Sequence, residues 1–499
     1  MYKQEGSYLF KQKSTMGRQQ QQPHFLVVTF PVQGHLNPGR HLAKSLVRAV
    51  AADGGSARIT FSTTISAHRR MFPSISSPDE EVQDGEITYL PFSDGNDEGS
   101  GSRKLGLQQY MSQFKIHGPR NLTNIICDLA AGGRPVTCVI YTLLFQWVAE
   151  VARRLGITSV QYWIQPATVL AICYRLLIHG YQDLIAVHSK DQSFTVTIDG
   201  LPPLQIRDLP TFFTITDPED KLFYFLMAYR GTLEAMESGE IGAGPKQKVL
   251  VNTFDELEPA ALASMEEHLD LITIGPAMPL EIEENSTAAT RDMFREDESG
   301  YMKWLNEQME KSVVYVSFGS NLVLKKEQMD EVWRGLTESG RPYLWVVRKD
   351  SRVDWSDEGE LRDEEKKGII VEWCSQLRVL SHSAVGCFVT HGGWNSTLES
   401  LACGVPAVAV PQWADQTTNA WMLDREWGTG LRAEVRQDGV VEAEELRRLV
   451  EIVMGEGERG AEIRRKAEIW KERARKAIDE GGSSDRNLKA FVRGLAVND

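Results

Sequence analysis

The chain has 499 residues, 42% of them hydrophobic and 25% charged, and a formal charge of −14. That length implies two or more domains, and the composition is that of an ordinary globular protein. The acidic balance excludes a nucleic-acid partner held by a basic face, and no apolar run approaches the roughly 20 residues of a membrane helix.

In chain order, residues 1–22 are polar, end in Gln19 to Gln22, and are expected to be disordered. Met16 offers an alternative start. There is no apolar core of a secretion signal. The six cysteines are scattered without a C-x-x-C pair and read as reduced, buried thiols of a cytoplasmic protein.

Residues 25–30 (FLVVTF) form the first buried strand. Pro31, Gly34 and Pro38 punctuate the turn after it, and Leu42, Leu46 and Val47 mark a helix face. His35 is thus expected in the first strand-to-helix loop, beyond the carboxyl end of a strand, where open α/β sheets bind ligands. An imidazole there suits general base work; a loop histidine capping the helix start is the alternative. Strands at 59–63, 87–92, 136–141 and 159–163 alternate with helices, one of them spanning 107–129. This pattern predicts a doubly wound parallel sheet. Thr142 follows the strand 136–141. Residues 166–187 and the run carrying Phe212, Phe213, Phe223, Phe225 and Met227 are apolar and aromatic, and most of them read as core. Strands at 249–254 and 271–274 complete a first domain, 23–280. The acidic, polar stretch 281–299 reads as the linker.

The second domain, 300–480, repeats the pattern. Residues 313–318 form a strand, and Gly319 and Ser320 turn from it toward a helix, making Ser320 a candidate phosphate donor. A strand at 343–348, a charged solvated loop at 350–367 and a short strand at Ile369 and Ile370 lead to Trp373. Residues 385–390 are a β-branched strand, followed by the tight turn His391, Gly392, Gly393. Asn395, Ser396 and Thr397 are helix starters, and 398–401 begin the helix. A glycine turn between a parallel strand and a helix suits a phosphate: backbone can come close, and the helix end offers free N–H groups. His391 and Ser396 can add donors. Glu399, on the same helix face as Ser396, could accept from sugar hydroxyls. The turn is neither a G-x-G-x-x-G fingerprint nor a P-loop, and an ordinary strand–helix turn with a structural histidine is the alternative. A strand at 405–410, amphipathic helices at 443–454 and 461–477, and a last helix within 481–499 carrying Leu488, Phe491 and Val492 finish the chain.

Trp373, Gln376, His391, Trp394, Asn395, Ser396, Glu399, Asp415 and Gln416 match, in type and spacing, the plant secondary product glycosyltransferase signature. From about Phe25 to Val492 the chain resembles the plant family 1 UDP-glycosyltransferases. Within them it is nearest the subgroup acting on anthocyanins and other flavonoids, carotenoid-derived acids and auxins. The resemblance implies the GT-B fold: two Rossmann-like doubly wound domains facing across a cleft. The acceptor would bind the first and the UDP-sugar the second, with the tail returning to the first. It implies that Trp373 stacks on uracil, that Gln376 bonds its edge or the ribose, and that Glu399 takes the ribose hydroxyls. His391, Gly393, Asn395, Ser396 and Ser320 would hold the diphosphate, and Trp394, Asp415 and Gln416 would contact the sugar. The run 30–38 (FPVQGHLNP) resembles the family's catalytic loop, which makes His35 the base. One departure stands out. Thr142 occupies the place of the family's aspartate; a threonine can hold a tautomer but cannot offset positive charge, which favours acidic acceptors.

The expected activity is inverting transfer of glucose from UDP-glucose to a hydroxyl or carboxylate of a small lipophilic plant metabolite such as a flavonoid. Ester-forming and C-glycosylating transferases are the alternatives. UDP-glucose is a co-substrate, no cofactor is expected, and the absence of a D-x-D triplet implies no metal. A monomer is expected.

Overall fold

The computed structural model describes residues 22–99, 106–180, 182–215, 217, 220–237, 246–279, 292–294, 296–297, 300–351, 367–436 and 438–496. Residues 1–21 of the expected N-terminal extension, most of the linker and most of the charged loop at 350–367 lie outside the described residues.

Two sheets, each with its own apolar core, are built from the two halves of the chain. The first half contributes β1 (His24–Val28), β2 (Arg58–Ser62), β3 (Val82–Asp84), β4 (Ile87–Tyr89), β5 (Cys138–Thr142) and β6 (Thr158–Trp163). After a small hairpin of β7 (Thr195–Val196) and β8 (Leu204–Gln205) come β9 (Gln247–Val251) and β10 (Leu269–Thr273). Among the described residues the sheet order is β10-β9-β6-β5-β1-β2-β4-β3, parallel except for the β3–β4 pair. The second half supplies β11 (Val313–Ser317), β12 (Tyr343–Val346), β13 (Gly368–Val371), β14 (Val385–Thr390), β15 (Ala407–Ala409) and β16 (Gly430–Arg432), in the all-parallel order β13-β12-β11-β14-β15-β16. The inner strands are buried on both faces, which is why they read in the sequence as continuous Val/Ile/Leu runs.

These orders contain two switch points, where the chain winds outward and then returns beside its starting strand. In the first sheet that gap lies between β1 and β5; in the second it lies between β11 and β14. Loops diverge there, leaving a crevice beyond the carboxyl ends of the strands.

The helix Gln33–Ala51 follows β1. It buries Leu36, Ala43, Leu46, Val47 and Val50, a helical spacing. Here the structure departs from the sequence reading: Val32 is the N-cap, and His35 sits in the first helical turn rather than in a loop. Pro38 lies inside the helix. It cannot donate to the Gly34 carbonyl, and that oxygen instead accepts from Asn395 Nδ2 of the second half at 3.1 Å. The helix after β14 also begins earlier than expected. It spans Trp394–Cys403 with Gly393 as N-cap and no side-chain cap, so Asn395, Ser396 and Thr397 lie inside it. Cys127 is exposed, against the expectation that all six thiols are buried; the other five are.

The last helix, Ser483–Ala496, packs against Gln33–Ala51 and β10. Leu488 and Phe491 enter the first core, and Ser484 Oγ donates to the Gly275 carbonyl.

The halves are also joined directly. Trp394 Nε1 donates to Asn252 O at 2.8 Å and Trp427 Nε1 to Leu257 O at 3.1 Å. Thr417 and Thr418 hydroxyls donate to the carbonyls of Leu209 and Asp208. Thr211 and Ala414 exchange two bonds, N to O at 3.0 Å and Oγ1 from N at 2.8 Å. Arg432 pairs with the buried Asp208 carboxylate at 2.6 Å.

Candidate active site

A single cleft of about 1000 Å³ is lined by both halves and runs along both switch points. His35 from the first helix and Thr142 from the end of β5 meet on one wall. The His35 Nδ1 to Thr142 Oγ1 distance is 2.9 Å, and the same hydroxyl oxygen accepts from the Phe30 N–H at 3.2 Å. Its two lone pairs can take Phe30 N–H and an Nδ1–H, and in that tautomer His35 Nε2 is unprotonated. Burial without any charged partner lowers the His35 pKa to about 3, so the imidazole is neutral at physiological pH.

The opposite wall is made by the glycine turns after β11 and β14. Gly319 and Gly392 both have φ near +75°, open to glycine and strained for other residues. The His391 ring is wedged between the two turns: a Cβ on Gly319 would lie 2.7 Å from its Nε2, and one on Gly393 2.5 Å. Burial, then the nearby Arg348, lowers His391 to about 4. Arg348, read from the sequence only as the end of a strand, is buried and donates to Gly319 O at 2.7 Å and Leu322 O at 3.0 Å. It thus fixes a positive charge behind the turn that carries Ser320. The Trp394–Cys403 helix ends here with no side chain covering its first N–H groups, which leaves them available to an anion.

Ser396 and Glu399 share one helix face, as expected, and Gln376 Nε2 bridges them at 2.9 and 2.5 Å. Gln376 Oε1 accepts from the Tyr315 hydroxyl at 3.2 Å, so both ends of this amide are engaged by protein. Burial pushes the Glu399 carboxyl up to about 7. Trp373 presents one side to the cleft; Phe294 stacks on the indole at 4.4 Å and 26°, and Asp292 Oδ2 accepts from its Nε1 at 3.3 Å. Asp292 also accepts from Gln33 Nε2 at 2.6 Å, two residues from His35.

At the end of the signature, Asp415 and Gln416 face the cleft. Gln416 Oε1 accepts from the backbone N–H groups of Gln412 at 2.9 Å and Trp413 at 3.1 Å, which turns its Nε2 outward as a donor. Trp394 lines the cleft as expected, while its indole Nε1 is spent on the seam with Asn252. The sequence reading had no signal for Asp292, Phe294 or Arg348, whose roles arise from contacts across the fold.

Two parallel-sheet α/β domains with an imidazole at one switch point, facing an anion-ready helix end at the other, define a glycosyltransferase of the GT-B architecture. Residues 288–481 match the family model described as UDP-glucoronosyl and UDP-glucosyl transferase. The chain is 43% identical to the chloroplastic crocetin glucosyltransferase of Gardenia jasminoides, covering 95% of this chain and 97% of the relative. It is 41% identical to the phloretin 4'-O-glucosyltransferase of Malus domestica, covering 95% and 98%. The solved structure of Os79 from O. sativa in complex with UDP superposes with a TM-score of 0.79 at 30% identity, over 94% of this chain and all of that one. Phytolacca americana UGT2, complexed with UDP-2fluoro-glucose and pterostilbene, gives 0.75 at 25% identity, over 95% and 100%. This chain belongs to the UDP-glycosyltransferase family and is an enzyme of glycosyl transfer.

Proposed function

We propose that the protein transfers glucose from UDP-glucose to a hydroxyl of a small lipophilic phenolic metabolite, with inversion at the anomeric carbon. One observation carries this reading: the neutral His35 imidazole, set by Thr142, faces the Gly393 helix end across one cleft. Uracil stacks on Trp373, Glu399 accepts from the ribose hydroxyls, and Gln376 orients Glu399. The diphosphate lies against His391, Ser320, Ser396 and the backbone N–H groups of Gly393, Trp394 and Asn395. Asp415 and Gln416 meet the hexose. The acceptor lies against Leu143, Leu144, Phe212 and Phe225, an apolar wall suited to an aromatic molecule.

His35 Nε2 takes the acceptor proton as the oxygen attacks C1. The bond from C1 to the diphosphate breaks on the opposite face, and UDP leaves with the electron pair. The helix end, with Arg348 behind it, stabilises the developing charge in place of a metal. Thr142 offers no negative charge to an imidazolium, which favours acceptors that ionise readily. Phenols meet that condition, and so do carboxylic acids, which gives a glucose ester as the second reading. Alkali-labile product separates ester from ether.

In the same reading, 23–280 holds the acceptor, 300–480 holds the nucleotide sugar, and 481–499 returns to brace the first domain. Among the described residues no helix is long and apolar enough to cross a membrane, and we take the enzyme to work as a cytoplasmic monomer. UDP release measured with and without a phenolic acceptor tests the activity. Release that does not depend on acceptor would make the protein a hydrolase.

A further inference from the structure

We propose that Asp292 is a positioning residue of the transfer reaction: its carboxylate ties Trp373 of the second domain to the first turn of the helix that carries His35, and so sets the base relative to the bound nucleotide. The inference rests on the reading above, in which uracil stacks on Trp373 and His35 is the base.

The two carboxylate oxygens of Asp292 serve opposite walls of the cleft. Oδ1 accepts from Gln33 Nε2 at 2.6 Å, and Oδ2 accepts from Trp373 Nε1 at 3.3 Å. The Gln33 amide is engaged at both ends: Nε2 also donates to Asn37 Oδ1 at 2.7 Å, and Oε1 accepts from the Met293 N–H at 2.9 Å. Gln33 is buried and opens the helix Gln33–Ala51, two residues before His35. About two turns further along that helix, Arg40 pairs with Asp292 at 4.0 Å, and both side chains are only 15% exposed. Asp292 therefore grips the helix of the base at two points and the nucleotide platform at one.

The platform has other holds. Phe294 stacks on the Trp373 indole, the Asp297 N–H donates to the Trp373 carbonyl at 2.9 Å, and Asp297 Oδ2 accepts from the Glu372 N–H at 2.9 Å. Loosening Asp292 should therefore disturb the base more than the uracil site. An amide cannot replace this carboxylate: it brings one acceptor oxygen to two arriving donors and turns an N–H against the other.

The test measures kcat on a phenolic acceptor at saturating UDP-glucose, and Kd for UDP by calorimetry, on the full chain for the native protein, Asp292→Asn, Gln33→Ala and the double variant. The calorimetric stoichiometry counts folded sites, so kcat is taken per UDP-binding site and a poorly folding variant does not mimic the effect. A 1 Å misplacement of reacting groups can cost about a hundredfold. Asn395 still holds the helix start through the Gly34 carbonyl at 3.1 Å. We expect kcat of Asp292→Asn to fall about tenfold while UDP Kd moves less than about threefold. The double variant should be no slower than the slower single one, because both substitutions cut one tie. Unchanged kcat in Asp292→Asn, equal losses of kcat and UDP affinity, or losses that multiply in the double variant would each overturn the proposal. Failure of the underlying reading looks different, and takes the proposal with it: the native protein would bind no UDP, or Trp373→Ala would leave UDP affinity unchanged.

Discussion

Glu399 gives a quantitative test of the nucleotide site. Burial raises its carboxyl from 4.5 to about 7, and Gln376 is its donor. In the proposed role only the ionised form can accept from both ribose hydroxyls. Affinity for UDP-glucose should therefore fall as pH falls through 7. About nine-tenths of the free protein carries the carboxylate at pH 8 and about one-tenth at pH 6, so the apparent Kd should rise about tenfold over that span. UDP-glucose is the right probe because its diphosphate, esterified at both ends, lacks the second ionisation near 6 of a terminal phosphate. His391 and His35, lowered to about 4 and about 3, stay neutral throughout. Glu399→Gln should bind at every pH about as weakly as the native protein does at pH 6. Calorimetric titrations at pH 6, 7 and 8 read this directly. A flat native profile, or an equally steep one for the variant, refutes the reasoning. The same shift has a stability sign. The unfolded chain loses the Glu399 proton near 4.5 and the folded chain near 7, so this group makes the free protein less stable as pH rises between those values.

Other outcomes follow from the same geometry. Thr142→Asp sets a carboxylate about 3 Å from His35 Nδ1, and an ion pair at an effective dielectric of about 20 raises the imidazole pKa by about four units. Rates on alkyl alcohols should then gain more than rates on acidic phenols; equal gains would break the link between Thr142 and acceptor acidity. Phe294→Ala removes the ring stacked on Trp373, worth about 1 kcal/mol, and should weaken UDP roughly fivefold in a fluorescence titration; unchanged affinity would remove Phe294 from the nucleotide site. Asp208→Asn leaves the half-buried Arg432 without its counter-charge and should cost about 2 kcal/mol in denaturant unfolding; a loss below about 0.5 kcal/mol would show that the pair does not brace the seam.

The strands were legible because a parallel sheet covered on both faces leaves continuous β-branched runs, as in 313–318 and 385–390. The glycine turn and the face shared by Ser396 and Glu399 were legible because both depend on local spacing. What escaped the sequence reading depends on distant partners. Pro38 and Gly34 suggested a loop around His35, yet the carbonyl freed by Pro38 finds Asn395, more than 350 residues on, and the helix forms through it. The bond from the Trp394 indole to Asn252, across the domain seam, had no signal in the sequence. The short strands β3, β7 and β8 carry too few residues to show a period. Asp292 and Phe294 lie in a polar stretch whose contacts with Gln33 and Trp373 appear only once the domains face each other.

The central claim is that an imidazole of the first domain removes the acceptor proton while the second domain holds the nucleotide. His35→Ala, assayed for glucoside formation from UDP-glucose and a phenol together with UDP binding, tests it most directly. The account predicts transfer reduced at least about a hundredfold, as for a lost general base, with UDP affinity within about twofold of native. Glucoside formed at the native rate, or UDP binding lost along with transfer, would contradict it.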